Sequence, residues 1–473
     1  MNSSSPASKR VVVAFVVAGI VLRLSGLGVH SVWIDEAATI YVAQSDDMTE
    51  VLRGDRHPPL SFLLFRAWMF LFGEADAWLR LAPALASIAS LVLLARLARE
   101  WLEERAVWIA VAVAAFSPLE LWIAREVRMY AFVECAALIA ITAAWTHLRR
   151  PRLALLALVF AGSAAATGFH YFGAFVGPTV ALLAIFVLLS GGAGRKDAFA
   201  LAVVGILGAL VWTPWFVSVY LEQASVPASF LSNFSARTLA ELPARLLVPT
   251  TDMLPAWAVT SAYAAAAGVT LAFALFVWGL VTRRSTRDSA TAIVFATPPA
   301  CALAAAAVGP LNFLARYFAM SVPGVTLAVA AGIGGLRSRV VRVGFAAALV
   351  TLLAVIDVAQ HTRNAREDWR GACERIARDF RPGDRVMSLT HLTDPYSQAP
   401  LRHYWRNSPE LLAALTTFQA TRLERSPTEP TSRLHVIYRE TRYVVGEYTD
   451  LTRRFRVVRS EALQDSIYCV TLE

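Results

Sequence analysis

Apolar runs of bilayer-spanning length recur from residue 11 to residue 358 and leave this chain few ways to fold. A hydrocarbon core about 30 Å thick takes about 20 helical residues to cross, and backbone groups inside it must be satisfied within the segment. The chain therefore reads as a polytopic α-helical membrane protein. Its composition agrees, with 57% of residues hydrophobic and only 17% charged. A net charge of +9 suggests nucleic acid at first, but the basic residues fall in short clusters between apolar runs. That is the positive-inside pattern, so the charge reports topology. No nucleic-acid motif, P-loop, zinc-finger spacing or dinucleotide fingerprint is present.

Lys9-Arg10 precedes the first run, which ends near Val29 without a small-x-small cleavage site, so it reads as an uncleaved anchor. Pro58–Gly73 is apolar but short, carries Arg66 and opens on Pro-Pro, which suits an interfacial segment better than a span. With that choice the second span is about Leu81–Leu94, and every basic cluster between spans becomes cytoplasmic: Arg96, Arg99 and Arg105, then 149–152, 195–196, 283–287 and 337–342. The remaining spans are near 106–118, 131–147, 153–168, 173–190, 198–216, 257–281, 289–308, 317–335 and 343–358. The expected architecture is thus about 11 transmembrane helices, with the N-terminus inside and the C-terminus outside.

Residues 1–358 form the expected membrane domain, with a first outer loop at 30–80 and another at 217–256. Residues 359–473 turn polar and read as a small extracytoplasmic α/β domain. Its predicted elements are a helix at Trp369–Phe380, an Arg381-Pro-Gly-Asp384 turn, and strands at Arg385–Leu389, Leu434–Tyr438 and Ser466–Leu472. Cys373 and Cys469 both lie in this tail, where pairing is open on spacing alone. The Arg-over-Lys bias and Ala richness suit a bacterial inner membrane.

This topology gathers a particular set of residues on the outer side: Asp35-Glu36; Asp55-Arg56-His57; Arg125-Glu126-Val-Arg128-Met-Tyr130; His170-Tyr171; and Arg316-Tyr317. Carboxylates beside a hydrocarbon core are costly and need a reason to be there. Asp35 has a plain alternative, as N-cap of a helix beginning at Ala37. Arg125 has one in pairing with Glu126, and His170 in a hydrogen bond at a helix end. Read together, guanidinium groups with His and Tyr beside one acidic pair suit an anionic phosphate, because guanidinium forks bind phosphate oxygens bidentately. The spans are otherwise almost free of charge at mid-depth; Arg23 is the exception, expected to snorkel outwards.

The order of these motifs resembles a known family: an Asp-Glu loop after the first span, His57-Pro-Pro-Leu60, Ser117-Pro118 followed by Ala124-Arg-Glu-Val-Arg-Met-Tyr130, His170-Tyr171-Phe172, Arg316-Tyr317, and Glu367-Asp-Trp-Arg370 before a Pro-Gly-Asp turn. It is similar to the GT-C glycosyltransferases of the dolichyl-phosphate-mannose protein mannosyltransferase and bacterial lipid A aminoarabinose transferase type. The resemblance implies an inverting transferase that moves a mannose-like or related sugar from a polyprenyl-phosphate carrier to a hydroxyl of a lipid, glycan or protein. It implies Asp35 as the catalytic acid of the first loop, with Glu36 as second acid. His57 stands where the aminoarabinose transferases carry a Lys facing the lipid phosphate, and Arg128 matches the family's Arg before an aromatic residue. Arg56, Arg125 and Arg316 complete the donor-phosphate set, and Tyr130, His170, Tyr171 and Tyr317 the substrate-binding one. No MIR-type repeat is present. A related enzyme that polymerises or ligates glycans would share this site.

Two questions stay open at this level. Asp35, Glu36, Asp55, His57 and His170 are donors able to hold a divalent ion if they converge, although their spacing is no ligand motif. The alternative function is a flippase or transporter of polyprenyl-linked glycan, which calls for mid-membrane polar residues and inverted repeats that the sequence does not clearly show.

Overall fold

The computed structural model describes residues 6–53, 55, 57–220, 232–233, 235–249, 254–283, 285–307, 312–362, 367–390, 396–416, 433–439, 448–449, 451–453, 455–463 and 467–472. The chain divides into two compact units. The first comprises residues 1–25, 49–64 and 80–363, the second 26–48, 65–79 and 364–473.

The first unit is helical, and every expected span falls on a helix. Among the described residues eight helices are long and apolar enough to cross a membrane, from Asp76–Trp101 to Arg339–Thr362. The pair Glu104–Phe116 and Pro118–Ala124, bent by 52°, is long and apolar enough only when taken together, as a broken span or a re-entrant loop. The bend has a local cause. Pro118 has no N–H to continue the first helix, while the Ser117 hydroxyl accepts from the Glu120 N–H and starts a second. Pro6–Leu24 adds 19 residues and Leu153–Phe169 adds 17, at the short end of what a bilayer needs. The chain is a multi-pass membrane protein. Leu60–Phe72, at 13 residues, extends only about 20 Å and is too short to cross. It buries Phe62, Phe65 and Met69 and leaves Phe70, Leu71 and Phe72 exposed, as an interfacial helix does.

Arg23 overturns its expectation. It does not snorkel but is fully buried, bonded to the Ser87 hydroxyl at 2.8 Å, to the carbonyls of Gly19 and Ala114, and to Glu120 at 3.3 Å. A guanidinium whose donors are met by protein oxygen has nothing to gain from reaching water.

The second unit holds a four-stranded sheet in the order Arg385–Leu389, Leu434–Arg439, Ile467–Leu472, Val457–Ala462. The first pair is parallel and the others antiparallel. Both faces of its inner strands are covered. Val386, Ile437, Ile467 and Cys469 pack on one side with Trp369, Cys373, Ile376 and Trp405 of the tail helices. Met387, Leu389, Val436, Val470 and Leu472 pack on the other with Leu451. The strand at Val457–Ala462 was not foreseen. It is an exposed edge whose sequence, VVRSEA, lacks the apolar alternation that marks a half-buried strand. Gly383 takes φ +94°, the conformation that lets the Arg381–Asp384 turn close. Asp384 then receives Arg433 at 2.7 Å and lies 3.1 Å from His435. Cys373 and Cys469 are free thiols in one buried cluster; burial pushes Cys469 up to about 12 and Cys373 well above the thiol range.

The second unit also takes in the acidic loop. Ile34, from the helix Ile34–Gln44, sits in the same core as Trp369. That helix begins three residues before Ala37 and its N-cap is Trp33, so Asp35 is not the cap. Glu36 at N3 does the capping instead, its Oε2 accepting from the Trp33 N–H at 3.2 Å.

Candidate active site

The segment after Pro118–Ala124 carries Arg125, Glu126, Arg128 and Tyr130 within six residues, and the structure sends them in different directions. Arg125 turns to the Leu22 carbonyl and the Ser25 hydroxyl and pairs with Asp357 at 3.6 Å, not with Glu126. Glu126 is buried and holds Arg316 at 3.3 Å. The Arg316 guanidinium lies over the Tyr130 ring, 5.2 Å from its centre. This cation–π contact and the ion pair together fix a cation that has come from 190 residues away.

Arg128 points to His57, its Nη2 standing 3.2 Å from Nε2. On the far side of the ring, Nδ1 is 2.6 Å from Asp55 Oδ1, which also accepts the His57 N–H. Since a guanidinium only donates, Nε2 accepts and the ring proton sits on Nδ1 towards Asp55. His170 lies 6.0 Å from His57 ring to ring, 6.0 Å from Tyr130 and 4.8 Å from Tyr317; Tyr130 and Tyr317 stack at 6.2 Å. His57, Arg128, Tyr130, His170, Arg316 and Tyr317 thus gather within the first unit from four separate stretches of chain. Tyr171 belongs to a neighbouring contact, its hydroxyl accepting from the Trp215 indole at 3.1 Å. Arg56 lies outside the described residues.

His170 owes its place to the turn after Leu153–Phe169, where its Nδ1 accepts the Phe172 N–H at 3.1 Å. Gly173 makes the turn possible: a Cβ there would fall 1.9 Å from the Ala166 carbonyl oxygen. Burial, then the nearby His57, Arg128 and Arg316, hold the His170 imidazole well below its usual pKa, so it is neutral among cations. The sign for stability follows. The unfolded chain binds a proton below about pH 6.5 that the folded chain resists, so stability falls as pH drops through that value. The loss is about 1.4 kcal/mol per pH unit until the folded value is reached. His170→Gln is expected to flatten this acid slope, as thermal melts of detergent-solubilised protein between pH 7.5 and 5 will show.

Asp35 and Glu36 belong to the second unit. Glu36 is fully buried in its capping role, while Asp35, at the second position of its helix, is only partly buried. Among the described residues no three His, Cys, Asp or Glu side chains are placed to hold a metal ion.

Sequence reasoning missed the Arg23–Glu120 pair and a hub at Asp76. Neither carries a local motif; each joins residues far apart in sequence.

The architecture has close counterparts among solved structures. The crystal structure of ArnT from Cupriavidus metallidurans in the apo state superposes with a TM-score of 0.63 at 13% identity, over 98% of this chain and 98% of that one. The same protein bound to undecaprenyl phosphate superposes with a TM-score of 0.61 at 14% identity, over 97% of each chain. The chain has the GT-C fold. In sequence, residues 56–217 match the family model described as dolichyl-phosphate-mannose-protein mannosyltransferase. That stretch contains His57, Arg125, Arg128, Tyr130, His170 and Tyr171, while Asp35 and Arg316 lie outside it. No match was found among curated proteins.

Proposed function

We propose that this protein is an inverting glycosyltransferase that takes a sugar from a polyprenyl-phosphate carrier at the outer face of a bacterial inner membrane. The acceptor is a hydroxyl group of a lipid, glycan or protein. The observation that carries this reading is the gathering of Arg128, Arg316 and His57 around buried aromatic rings. Two guanidinium donors, one oriented by His57, suit a phosphate monoester or diester at a membrane surface, where low dielectric strengthens each contact. The family match over 56–217 supports the same chemistry.

In this mechanism the acceptor oxygen attacks the anomeric carbon on the face opposite the phosphate. A new glycosidic C–O bond forms as the carbon–oxygen bond to phosphate breaks, its electron pair leaving on the polyprenyl phosphate. The acceptor's proton passes to the Asp35 carboxylate. The leaving group is already anionic, so no glycosidase-type acid is required. Arg128 and Arg316 meet the charge that accumulates on the phosphate oxygens. His57, its Nδ1–H held by Asp55, turns Nε2 to Arg128 and so orients the guanidinium that meets the phosphate. His170 stays neutral and shapes the pocket with Tyr130 and Tyr317.

The test is transfer of labelled sugar from a synthetic polyprenyl-phosphate sugar in membranes containing wild type or Arg128→Lys. Lys keeps the charge but loses the planar fork, so transfer efficiency is expected to fall about 10- to 100-fold, the worth of one charge-assisted hydrogen bond. Wild-type efficiency in the variant removes Arg128 from the phosphate site. Absence of transfer from any such donor by the wild type overturns the enzymatic reading.

A further inference from the structure

The segment before Asp35 is held by side chains from the far end of the chain, all within the second unit. Asp76 is the hub. Its carboxylate receives Arg370 at 2.6 Å and the Tyr404 hydroxyl at 3.1 Å, and stands 2.9 Å from His403 Nε2. From this hub the same residues reach the loop backbone. Arg370 donates to the carbonyls of Gly28, Val29 and His30, and its own N–H goes to the Ser31 hydroxyl at 3.0 Å. The Tyr404 oxygen accepts the Val32 N–H at 2.6 Å. Glu367, tied to the Trp369 indole at 2.6 Å, accepts the Ile34 N–H at 3.2 Å.

The helix Ile34–Gln44 begins with Glu36 accepting the Trp33 N–H. Glu367 adds a hold from outside on its first residue, Ile34, and Tyr404 one on Val32 just before it. A helix turns about 100° per residue, so a start slipped by one position would swing the side chain two residues in through about the same angle. That side chain is Asp35. Burial and the Asp76 carboxylate push the Tyr404 phenol far above its usual range, which keeps it a donor to Asp76 at any working pH.

We propose that Asp76, Arg370 and Tyr404 are positioning residues for Asp35: they fix the backbone from Gly28 to Ile34 and so set where the Asp35 carboxylate stands. The role of the C-terminal residues is then to seat the catalytic loop, and it rests on the reading that Asp35 takes the acceptor's proton.

The experiment uses the full-length protein in nanodiscs, as Arg370→Ala, Arg370→Lys and Asp76→Asn, each with Asp35 intact and with Asp35→Asn. Hydrogen exchange of the peptide covering 28–36 reads the clamp without reference to activity. Steady-state transfer with a polyprenyl-phosphate sugar reads its consequence. Faster exchange is expected in Arg370→Ala and Asp76→Asn. Their kcat is expected to fall about 10- to 100-fold, as for a base misplaced by about an ångström. Donor KM should stay within a factor of about three, since uniform substrate binding is untouched. Arg370→Lys should recover part of kcat, and no variant should lose more in the Asp35→Asn background.

A raised donor KM at unchanged kcat, or a full additional loss on top of Asp35→Asn, overturns the positioning role. So does wild-type exchange together with wild-type kcat while Asp35→Asn is inactive. Wild-type transfer by Asp35→Asn alone strikes instead at the general-base reading, and the positioning role falls with it.

Discussion

Asp35→Asn is expected to lower sugar transfer by about two to four orders of magnitude while leaving the protein folded and donor binding intact, the usual cost of removing a general base. Asn is isosteric, so packing is kept and only the ability to take a proton is lost. The helix start is not at risk, because capping falls to Glu36 and to Glu367 rather than to Asp35. The measurement is kcat with a labelled polyprenyl-phosphate sugar at matched protein level, with a melting curve as the control for folding. Transfer at the wild-type rate would reduce Asp35 to a surface carboxylate of the first helical turn. Loss of donor binding at unchanged kcat would move it from the chemical step to substrate recognition.

The second large effect concerns stability. Arg23→Met removes the counter-charge of the buried Glu120 and leaves it facing only the buried Glu134 carboxyl that hydrogen-bonds to it, at an expected cost of about 3–5 kcal/mol. Combining it with Glu120→Gln should recover a substantial part, because a neutral amide no longer carries an unpaired charge into an apolar setting. Chemical or thermal unfolding in detergent, comparing both singles with the double, gives the coupling energy. If the single variant melts as wild type does, Arg23 is not the counter-charge its geometry makes it.

Much of the architecture was legible because the membrane simplifies the code. Segments such as 256–283 and 339–362 are read by length and apolarity alone. The tail was legible where burial on both faces leaves an apolar run, as at Arg385–Leu389. It was illegible at the exposed strand Val457–Ala462, where no face is apolar. In the site, residue types and their order drew attention to His57, Arg128, His170 and Arg316. Pairings were another matter. Arg125 stands next to Glu126 in sequence yet pairs with Asp357, while Glu126 takes Arg316. Adjacent residues seldom present side chains to each other, so sequence neighbourhood was a poor guide to ion pairs. Arg23 misled for a related reason: a cation in an apolar run reads as snorkelling until its acceptors, spread from Gly19 to Glu120, are assembled.

The second unit is drawn from three stretches, 26–48, 65–79 and 364–473, and this bears on how the protein comes into being. On the ribosome, Ser31 emerges 339 residues before Arg370, the residue whose backbone N–H it receives. Contacts of such separation form late, since the intervening chain must be ordered first. The acidic loop is therefore born without its seat and waits through the insertion of nearly every span. Synthesis itself becomes a timer: a nascent or truncated chain that already holds its bundle in the bilayer still lacks the residues that shape the loop. Early termination anywhere before the tail should yield an inserted but silent protein, one more exposed to proteolysis at residues 26–48 than the finished chain.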